Sequence, residues 1–437
     1  MSLTLSAWLL LLFAIPVLFL GESIVRCVPL LARYNIPVPV VGGLTVCLLV
    51  LLGDLTGLCR ITLLTKVSSA WWTWMVTPEP EWKTLPQKAV NLPFLIGFFT
   101  CIGLTATWDV LKKGSWQVPL FWGLATLLAV FQNAVGVGIA FLLGENPLLG
   151  LICGSLSQTG GHGTALGFAD TLVQAGYASA ASTGAAASTF GLVCGGLIGG
   201  PIAARLIRQH QLLPQRHSAA DNLQAMQAEE EIVEATLHEE GIWYSLRGMA
   251  KLGPSLLGHV VFLVALIKAG AWFSYALQAT GMVFPAYMGA MLVGVMVRNV
   301  LLLCGISWID AKVIDALSGL MLGVFLATAM MSLNLKELAA SALPMLIILA
   351  AQILLVWAFV RWVTFPLLGK DYDAAVIVAG HCGFAHGATP SAVANMDSIC
   401  RTFGPSQRAF LIVPIVGGML IDLTNSLNIT WFINFLK

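Results

Sequence analysis

The segment Gly154-Ser-Leu-Ser-Gln-Thr-Gly-Gly-His-Gly-Thr164 returns in altered form as Gly380-His-Cys-Gly-Phe-Ala-His-Gly-Ala-Thr-Pro390. Both of these Gly-His segments interrupt sequence that is otherwise apolar enough to lie in lipid. Backbone that cannot stay helical is tolerated at membrane depth only where protein buries it or where it lines a watery cavity. Paired Gly/Pro-interrupted segments in two halves of a chain are the best sequence indication of a transporter's binding site.

The composition is that of a polytopic membrane protein. Of 437 residues, 58% are hydrophobic and only 10% are charged, against roughly 25% charged residues in soluble domains. The formal charge of +1 and the lack of a basic arm give no reason to expect a nucleic-acid partner. The nine cysteines are scattered without a CxxC motif, so they predict neither a disulfide framework nor a zinc site.

Apolar runs of spanning length predict ten transmembrane helices in two sets of five. The polar stretch 205–252 between the sets is expected to be a cytoplasmic linker. The stretch 60–88 carries four tryptophans, which favour a helix along the membrane surface. The first repeat (1–204) has its predicted spans at 4–25, 36–53, 91–107, 117–142 and 181–204, and the second (253–437) at 253–276, 284–305, 316–333, 338–363 and 408–434.

The two sets align as copies of one another. Residues 98–111 match residues 325–338 without a gap, and the alignment of the Gly-His segments pairs His162 with His386. Five spans per copy is an odd number, so the second copy must enter the membrane the other way up. The Gly-His segments then become re-entrant hairpins at about 145–178 and 374–403. The distribution of Lys and Arg predicts both termini outside and the linker inside.

Each hairpin tip brings free backbone N–H groups and a helix N-terminus to the middle of the membrane, which together form an anion site. The alternative is that the glycines only let helices pack closely, as small residues do in membranes. We expect the anion site to lie between the two tips. Its candidate substrate-binding residues are Ser157, Thr159, Gly160, Gly161, His162, Gly163, Thr164, Gly383, Gly387, Ala388, Thr389 and Asn425.

Unwound carbonyls and hydroxyls at the same breaks offer oxygen ligands to a small cation, which favours Na⁺ beside a carboxylate. Asp422 is the clearest ionisable residue within a span and is a functional candidate for that reason; its alternative is a paired packing carboxylate. Buried amides in spans serve equally well as interhelical hydrogen-bond partners. The Na⁺ candidates are Asp422, Asn133, Ser155, Gln352 and Thr424.

Three histidines, His162, His381 and His386, fall in the Gly-His segments. An imidazole there could bind substrate or sense pH, because its unperturbed charge change lies near physiological pH. A neutral histidine held by the hairpin backbone is an equally good reading. The pattern alone leaves both roles open.

Many motifs of the chain resemble those of the bacterial sodium/glutamate symporters. The resemblance implies Na⁺-coupled uptake of L-glutamate in the bacterial inner membrane by a homodimer with inverted repeats. It also implies an elevator-type movement of the domain that carries the hairpins, with Na⁺ as coupling ion and no organic cofactor. The similar motifs include Pro37-x-Pro39-x-x-Gly42-Gly43, Gln132-Asn133, Gly160-Gly-His-Gly-Thr164, Phe190-Gly-Leu-Val-Cys-Gly-Gly-Leu-Ile-Gly-Gly-Pro201, Tyr372-Asp-Ala-Ala375, Gly387-Ala-Thr-Pro390, Phe403-Gly-Pro-Ser406 and Asp422.

Two other functions fit parts of the sequence. One is a transporter of different chemistry, either a citrate-like dicarboxylate symporter or a Na⁺/H⁺ antiporter, although an antiporter is expected to centre on a buried acidic pair. The other is an intramembrane aspartyl protease, for which Tyr372-Asp373 supplies one half of the motif but no GxGD accompanies Asp422. We therefore expect a transporter and not an enzyme.

Overall fold

The computed structural model describes residues 2–57, 60–78, 83–84, 86–107, 116–214, 233, 254–279, 284–338 and 341–436. Most of this chain is helical. The helices are α1 Ala7–Cys27, α2 Pro29–Arg33, α3 Val38–Leu55, α4 Ala70–Val76, α5 Leu92–Thr105, α6 Gln117–Leu142, α7 Pro147–Leu156, α8 Gly161–Gly167, α9 Ala169–Gln174, α10 Ala180–His210, α11 Pro254–Gln278, α12 Met288–Leu303, α13 Ala311–Met331, α14 Leu335–Leu338, α15 Ala342–Leu367, α16 Tyr372–Phe384, α17 Thr389–Phe403 and α18 Gln407–Phe435.

Eight helices of the described chain are long and apolar enough to cross a membrane, namely α1, α3, α6, α10, α11, α13, α15 and α18. They overlap eight of the ten predicted spans, so the prediction of a helical polytopic membrane protein is confirmed. The other two predicted spans, 91–107 and 284–305, are the shorter apolar helices α5 and α12. The 14 residues of α5 rise only about 21 Å, less than the hydrocarbon core of about 30 Å.

Four short strands form two small sheets that the sequence analysis did not predict. The parallel pair joins β1 to β2, and the antiparallel pair joins β3 to β4. Both pairs lie outside the long apolar helices and occupy few residues. The strands are β1 Ser2–Leu5, β2 Arg60–Leu63, β3 Lys66–Val67 and β4 Lys88–Ala89.

The described chain forms two compact units, and each unit contains helices from both sequence halves. Both Gly-His segments lie wholly in the second unit, so that unit holds the candidate site. The first unit comprises the described parts of 1–107, 166–171 and 239–336, and the second those of 108–165, 172–238 and 337–437.

In the first unit, helix pairs approach closely at glycines. A methyl group added at Gly42 of α3 would lie 2.2 Å from the carbonyl oxygen of Val17 in α1. One added at Gly103 of α5 would lie 2.2 Å from the carbonyl oxygen of Met291 in α12. Small residues allow such backbone contact in membrane proteins, where dispersion and weak polar contacts drive helix association.

The tryptophan-rich stretch of the first unit differs from the predicted surface helix. Among the described residues of this stretch, the seven of α4 are helical, and β2, β3 and β4 form short strands. Trp72 is buried, whereas Trp71 and Trp74 are 59% and 41% exposed. Trp82 lies outside the described residues. One tryptophan is thus packed in the interior and two are exposed, and composition alone does not distinguish the two cases.

In the second unit, one apolar core joins six long elements. Phe121 of α6, Val356 of α15, Val376 of α16, Val393 of α17 and Val413 of α18 are fully buried members of it. Side chains of α10 complete the cluster. The arms on both sides of the second Gly-His segment are therefore packed into the interior of this unit.

Helix α10 runs six residues into the predicted linker and ends at His210. Arg208 and His210 fall in its last turn, where cationic side chains complement the negative end of a helix dipole. Most of the predicted linker, including Arg216 and the run Glu229–Glu231, lies outside the described residues.

Candidate functional site

The first Gly-His segment breaks between α7 and α8, at residues 157–160, here termed the first break. Helix α7 ends in a π-helical turn at Ile152–Leu156, inside which Gly154 leaves helical geometry with φ −84° and ψ −143°. A methyl group at Gly154 would lie 2.7 Å from Asn133 Oδ1. Helix α8 restarts at Gly161, whose φ is +62°. Gly154 is favoured because a side chain there would collide with Asn133. Gly161 is favoured because its φ is positive.

The second Gly-His segment breaks between α16 and α17, at residues 385–388, here termed the second break. Helix α16 ends at Phe384, and α17 restarts at Thr389 with Pro390 in its first turn. Proline suits that position because the first N–H groups of a helix have no intrahelical partner. The first-turn N–H groups of α17 have no side-chain cap either.

The start of α8, directly after the first break, is in contact with the second break. A methyl group at Gly161 would lie 2.3 Å from the carbonyl oxygen of Gly387. Helix α10 also touches both breaks, because a methyl group at Gly191 would lie 2.2 Å from the carbonyl oxygen of His386 and 2.9 Å from Gln158 Oε1. The pairing of the Gly-His segments, read from the sequence, is thus also a pairing in space.

Gln132 of α6 joins the two breaks by hydrogen bonds. Thr159 Oγ1 in the first break donates to Gln132 Oε1 at 2.6 Å. Gln132 Nε2 donates to the carbonyl oxygen of Ala385 in the second break at 2.9 Å. The side chain is fully buried. Gln132 was not among the predicted site residues, although its neighbour Asn133 was, because residue type alone does not show which neighbours an amide bonds.

Ser155 lies just before the first break, and two asparagines hold its backbone. Its N–H donates to Asn133 Oδ1 of α6 at 2.8 Å, and its carbonyl accepts from Asn425 Nδ2 of α18 at 3.1 Å. Three polar atoms here are buried without a hydrogen-bond partner, namely Ser155 Oγ, Asn425 Oδ1 and Asn133 Nδ2. Buried polar atoms are rarely left unpaired, so a cluster of three requires an explanation such as a bound ligand.

The other Na⁺ candidates are placed as follows. Gln352 of α15 donates from Nε2 to the carbonyl of Gln132 at 2.8 Å, and its Oε1 is buried and unpartnered. Asp422 is half-buried and forms no ion pair with a described residue. It precedes Asn425 by three residues on α18, so the two share a helix face. Within the described residues, no three His, Cys, Asp or Glu side chains form a metal site.

Thr424 is turned toward a different neighbour. Its hydroxyl accepts from Trp122 Nε1 at 3.2 Å and lies 2.8 Å from Thr126 Oγ1, both on α6. These contacts use the Thr424 hydroxyl for packing α18 against α6. Its neighbour in the chain, Asn425, is the residue of α18 that bonds the Ser155 carbonyl.

Several predicted substrate-binding residues have internal partners. Ser157 Oγ accepts from Gln158 Nε2 at 3.2 Å, and His162 Nε2 lies 2.9 Å from Thr189 Oγ1. Gly383 lies within α16, where a methyl group would meet Ala392 Cα at 2.4 Å. That position therefore serves the packing of α16 on α17.

Four of the predicted substrate-binding residues at or beside the breaks are partly accessible. Two of them are glycines, which offer a ligand only their backbone groups. Thr164 is buried, and its N–H donates to the carbonyl of Gly160 at 3.4 Å. A methyl group at Gly418 in the π-helical turn of α18 would lie 3.8 Å from Thr389 Oγ1, so α18 passes beside this helix start. The half-buried positions are Gly160, Gly163, Ala388 and Thr389.

The remaining two histidines are fully buried. His381 Nδ1 lies 3.1 Å from Thr364 Oγ1, and the ring packs against Phe121 and Phe384. His386 Nδ1 lies 3.2 Å from the carbonyl of Cys382. Each ring has one unpartnered nitrogen, Nε2. Contacts to a hydroxyl and a carbonyl support the reading of both as histidines held by their surroundings.

An ion-pair network lies at the base of the second Gly-His segment. Arg408 of α18 pairs with Asp371, the N-cap of α16, and its Nε lies 3.5 Å from Asp373 Oδ2. Ser406 Oγ donates to Asp373 Oδ1 at 2.6 Å. Asp373 is therefore engaged by a cation and a hydroxyl, which removes the one observation that favoured an aspartyl protease.

Two buried serines near the breaks escaped the sequence analysis. Ser188 of α10 and Ser391 of α17 each have a buried hydroxyl without a hydrogen-bond partner. Ser391 falls in the first turn of α17, beside the uncapped N–H groups. Ser188 lies in a run of small residues, where a serine is indistinguishable by sequence from a packing residue.

The whole chain is similar to known transport proteins. The family model described as "Sodium/glutamate symporter" matches residues 3–78 and 67–405. The chain is 35% identical over 419 residues to the sodium/glutamate symporter of Escherichia coli K12, covering 95% of this chain and 94% of that protein. It is 36% identical over 428 residues to the Haemophilus influenzae protein of the same name, covering 98% and 96%. No solved structure matches the chain significantly.

Proposed function

Because this chain belongs to the sodium/glutamate symporter family, we propose that its two breaks together form the glutamate site. The chain is a multi-pass transporter of the bacterial inner membrane that couples glutamate transport to Na⁺, and it uses no organic cofactor. The observation that carries the site proposal is the contact between Gly161 and the carbonyl of Gly387. It means that one ligand can touch both breaks at once.

The first-turn N–H groups of α17 receive one carboxylate of glutamate. They carry no side-chain cap, and Ala388 and Thr389 are half-buried rather than sealed. The buried, unpartnered Ser391 Oγ in the same turn supplies a further donor. A helix start favours negative charge through its dipole and its free donors, without a buried cationic side chain.

The first break supplies the opposite wall of the site. Gly160 and Gly163 are half-buried, and a glycine backbone lets a ligand approach its N–H and carbonyl groups closely. Thr159 and His162 remain candidates, but each already contacts a protein group. Backbone groups therefore do most of the binding, and these two side chains shape the wall.

Na⁺ binds at Ser155. The two free oxygens are Ser155 Oγ and Asn425 Oδ1, both buried and attached to groups that the Ser155 backbone already orders. Asp422 on the same face of α18 supplies the countercharge. Asn133 positions Ser155 through Oδ1 instead of coordinating the ion, since its unpartnered atom is an amide nitrogen. A site of neutral oxygens and one carboxylate suits a hard monovalent cation.

The proposal extends to the repeats, the mechanism and the assembly of the protein. Both Gly-His segments have a helix–break–helix form, which supports two inverted repeats with re-entrant hairpins. Both lie in one compact unit with its own core, which suits an elevator mechanism that carries that unit as a body. The assembly is a homodimer with both termini outside and the linker inside.

Reconstitution tests this function. Purified protein in proteoliposomes is expected to take up L-glutamate only under an inward Na⁺ gradient, and uptake should stop when Na⁺ is equal on both sides. Citrate in place of glutamate tests the dicarboxylate alternative. Proton movement under a Na⁺ gradient without glutamate tests the antiporter. Glutamate uptake that ignores Na⁺ would contradict the proposal.

A further inference from the structure

Two adjacent amides on α6 bond both breaks and the backbone of Ser155. Gln132 bonds Thr159 in the first break at 2.6 Å and Ala385 in the second at 2.9 Å. Asn133 bonds the N–H of Ser155 at 2.8 Å. Both side chains are fully buried. One turn of α6 thus bonds the backbone of Ser155 and of Ala385 and the side chain of Thr159.

We propose that Gln132 is the positioning residue through which Na⁺ at Ser155 raises the affinity for glutamate at the two breaks. The inference rests on the proposed Na⁺ and glutamate sites. It goes beyond them, because it assigns the coupling between the two ligands to one side chain that binds neither of them.

The α6 backbone at these amides is held firmly. Gln352 donates to the carbonyl of Gln132 at 2.8 Å. One turn further, Gly136 and Gly150 pack backbone to backbone, since a methyl group on either would lie within 2.2 Å of the other's carbonyl oxygen. A rigid segment transmits a shift of Ser155 instead of absorbing it, because packed interiors have two discrete arrangements more readily than a continuum.

Gln132 uses one acceptor and one donor of its amide, one for each break. When Na⁺ fixes Ser155, the Ser155 N–H fixes the position of Asn133, and the rigid α6 segment passes that position on to Gln132. The Gln132 amide then holds Thr159 and Ala385 at the separation that glutamate requires. Without Na⁺ the two breaks must be ordered by glutamate itself, which lowers its affinity. By linkage, glutamate must raise the affinity for Na⁺ by the same factor.

The test measures coupling rather than activity. For the full chain in nanodiscs, the ratio of the glutamate Kd at low Na⁺ to that at saturating Na⁺ is the coupling factor. Such factors are typically about 5–150-fold. Gln132→Met, which keeps the length of the side chain but removes both bonds, is expected to bring this factor close to one. The same Kd change at both Na⁺ concentrations would overturn the proposal, because Gln132 would then only shape the glutamate site.

Asn395 provides the matched control. It is a buried amide that donates to the carbonyls of Gly195 at 2.9 Å and Ala379 at 3.3 Å, neither of which lies in a break. Asn395→Leu is expected to lower the unfolding temperature but to keep the coupling factor of the natural protein. If Asn395→Leu abolished the coupling as fully as Gln132→Met, coupling would follow stability and the proposal would fail.

Two further measurements distinguish a failure of the Gln132 proposal from a failure of the proposed Na⁺ site. Thr159→Val removes only one of the two Gln132 bonds and can be used if Gln132→Met does not fold. It should reduce the coupling factor without abolishing it. An unchanged coupling factor would refute the positioning role of Gln132. The Na⁺-induced shift of the unfolding temperature without glutamate should be unchanged in Gln132→Met. If Ser155→Ala also leaves that shift unchanged, the Na⁺ site itself is misplaced, which is a failure of the proposed function.

Discussion

Replacing Gly161 by alanine tests the contact on which the candidate site depends. Gly161 has a φ of +62°, and an added methyl group would lie 2.3 Å from the carbonyl oxygen of Gly387. A left-handed conformation costs a non-glycine residue about 1–2 kcal/mol. The contact adds to this cost, because an ordinary contact requires about 3.4 Å and the second break must therefore move by roughly 1 Å.

Gly144→Ala separates the two effects. Gly144 has a similar φ of +72°, but nothing lies within 4 Å of an added methyl group. It belongs to the same compact unit, in the turn after α6. Gly144→Ala therefore carries the backbone strain without the collision. It should lower stability by about 1–2 kcal/mol and leave glutamate transport kinetics as they are.

The assay is initial glutamate uptake into proteoliposomes under a fixed inward Na⁺ gradient, across a range of glutamate concentrations. A misplacement of about 1 Å in a positioned site costs on the order of 100-fold. We therefore expect Gly161→Ala to raise the KM for glutamate by about 10–100-fold. Equal KM values in Gly161→Ala and Gly144→Ala, at matched thermal stability, would refute the reasoning that the two breaks must meet.

Three other predictions follow from named contacts. Asp422→Asn should raise the Na⁺ concentration for half-maximal uptake, and an unchanged Na⁺ dependence would remove Asp422 from the site. Ser155→Ala should do the same by several-fold, because it deletes an oxygen ligand but keeps the backbone bonds to Asn133 and Asn425; a normal Na⁺ curve would exclude that ligand. Arg408→Met leaves the largely buried Asp373 without its cation and should destabilise the protein by about 1–3 kcal/mol. Adding Asp373→Asn should restore most of the lost stability. If the unfolding temperature of the double variant is no higher than that of Arg408→Met, the ion-pair account is contradicted.

The spans were predictable because hydropathy and length are local properties. Eight predicted spans became long apolar helices, and each Gly-His segment contains a helix break. Helix ends were less predictable. The charged end of α10 continues to His210, since an amphipathic last turn outside the apolar run leaves no hydropathy signal.

The contacts within the site were not predictable from residue types. Gly383 and Gly387 look equivalent in the sequence, yet Gly383 packs against Ala392 where α16 meets α17, while the carbonyl of Gly387 lies against Gly161. Gln132 and Thr424 are both polar residues in spans. The first bonds both breaks, whereas the hydroxyl of the second contacts Trp122 and Thr126 of α6. Only the three-dimensional arrangement decides which neighbours each of two chemically similar residues contacts.

The central claim is that one glutamate bridges two helix breaks beside Na⁺. Cryo-electron microscopy of the full chain in lipid nanodiscs, with Na⁺ and L-glutamate and again with Na⁺ alone, tests it most directly. The account predicts glutamate-dependent density between the first break and the start of α17 at Thr389, and a separate density within coordination distance of Ser155 Oγ. Glutamate density that touches neither break would contradict it.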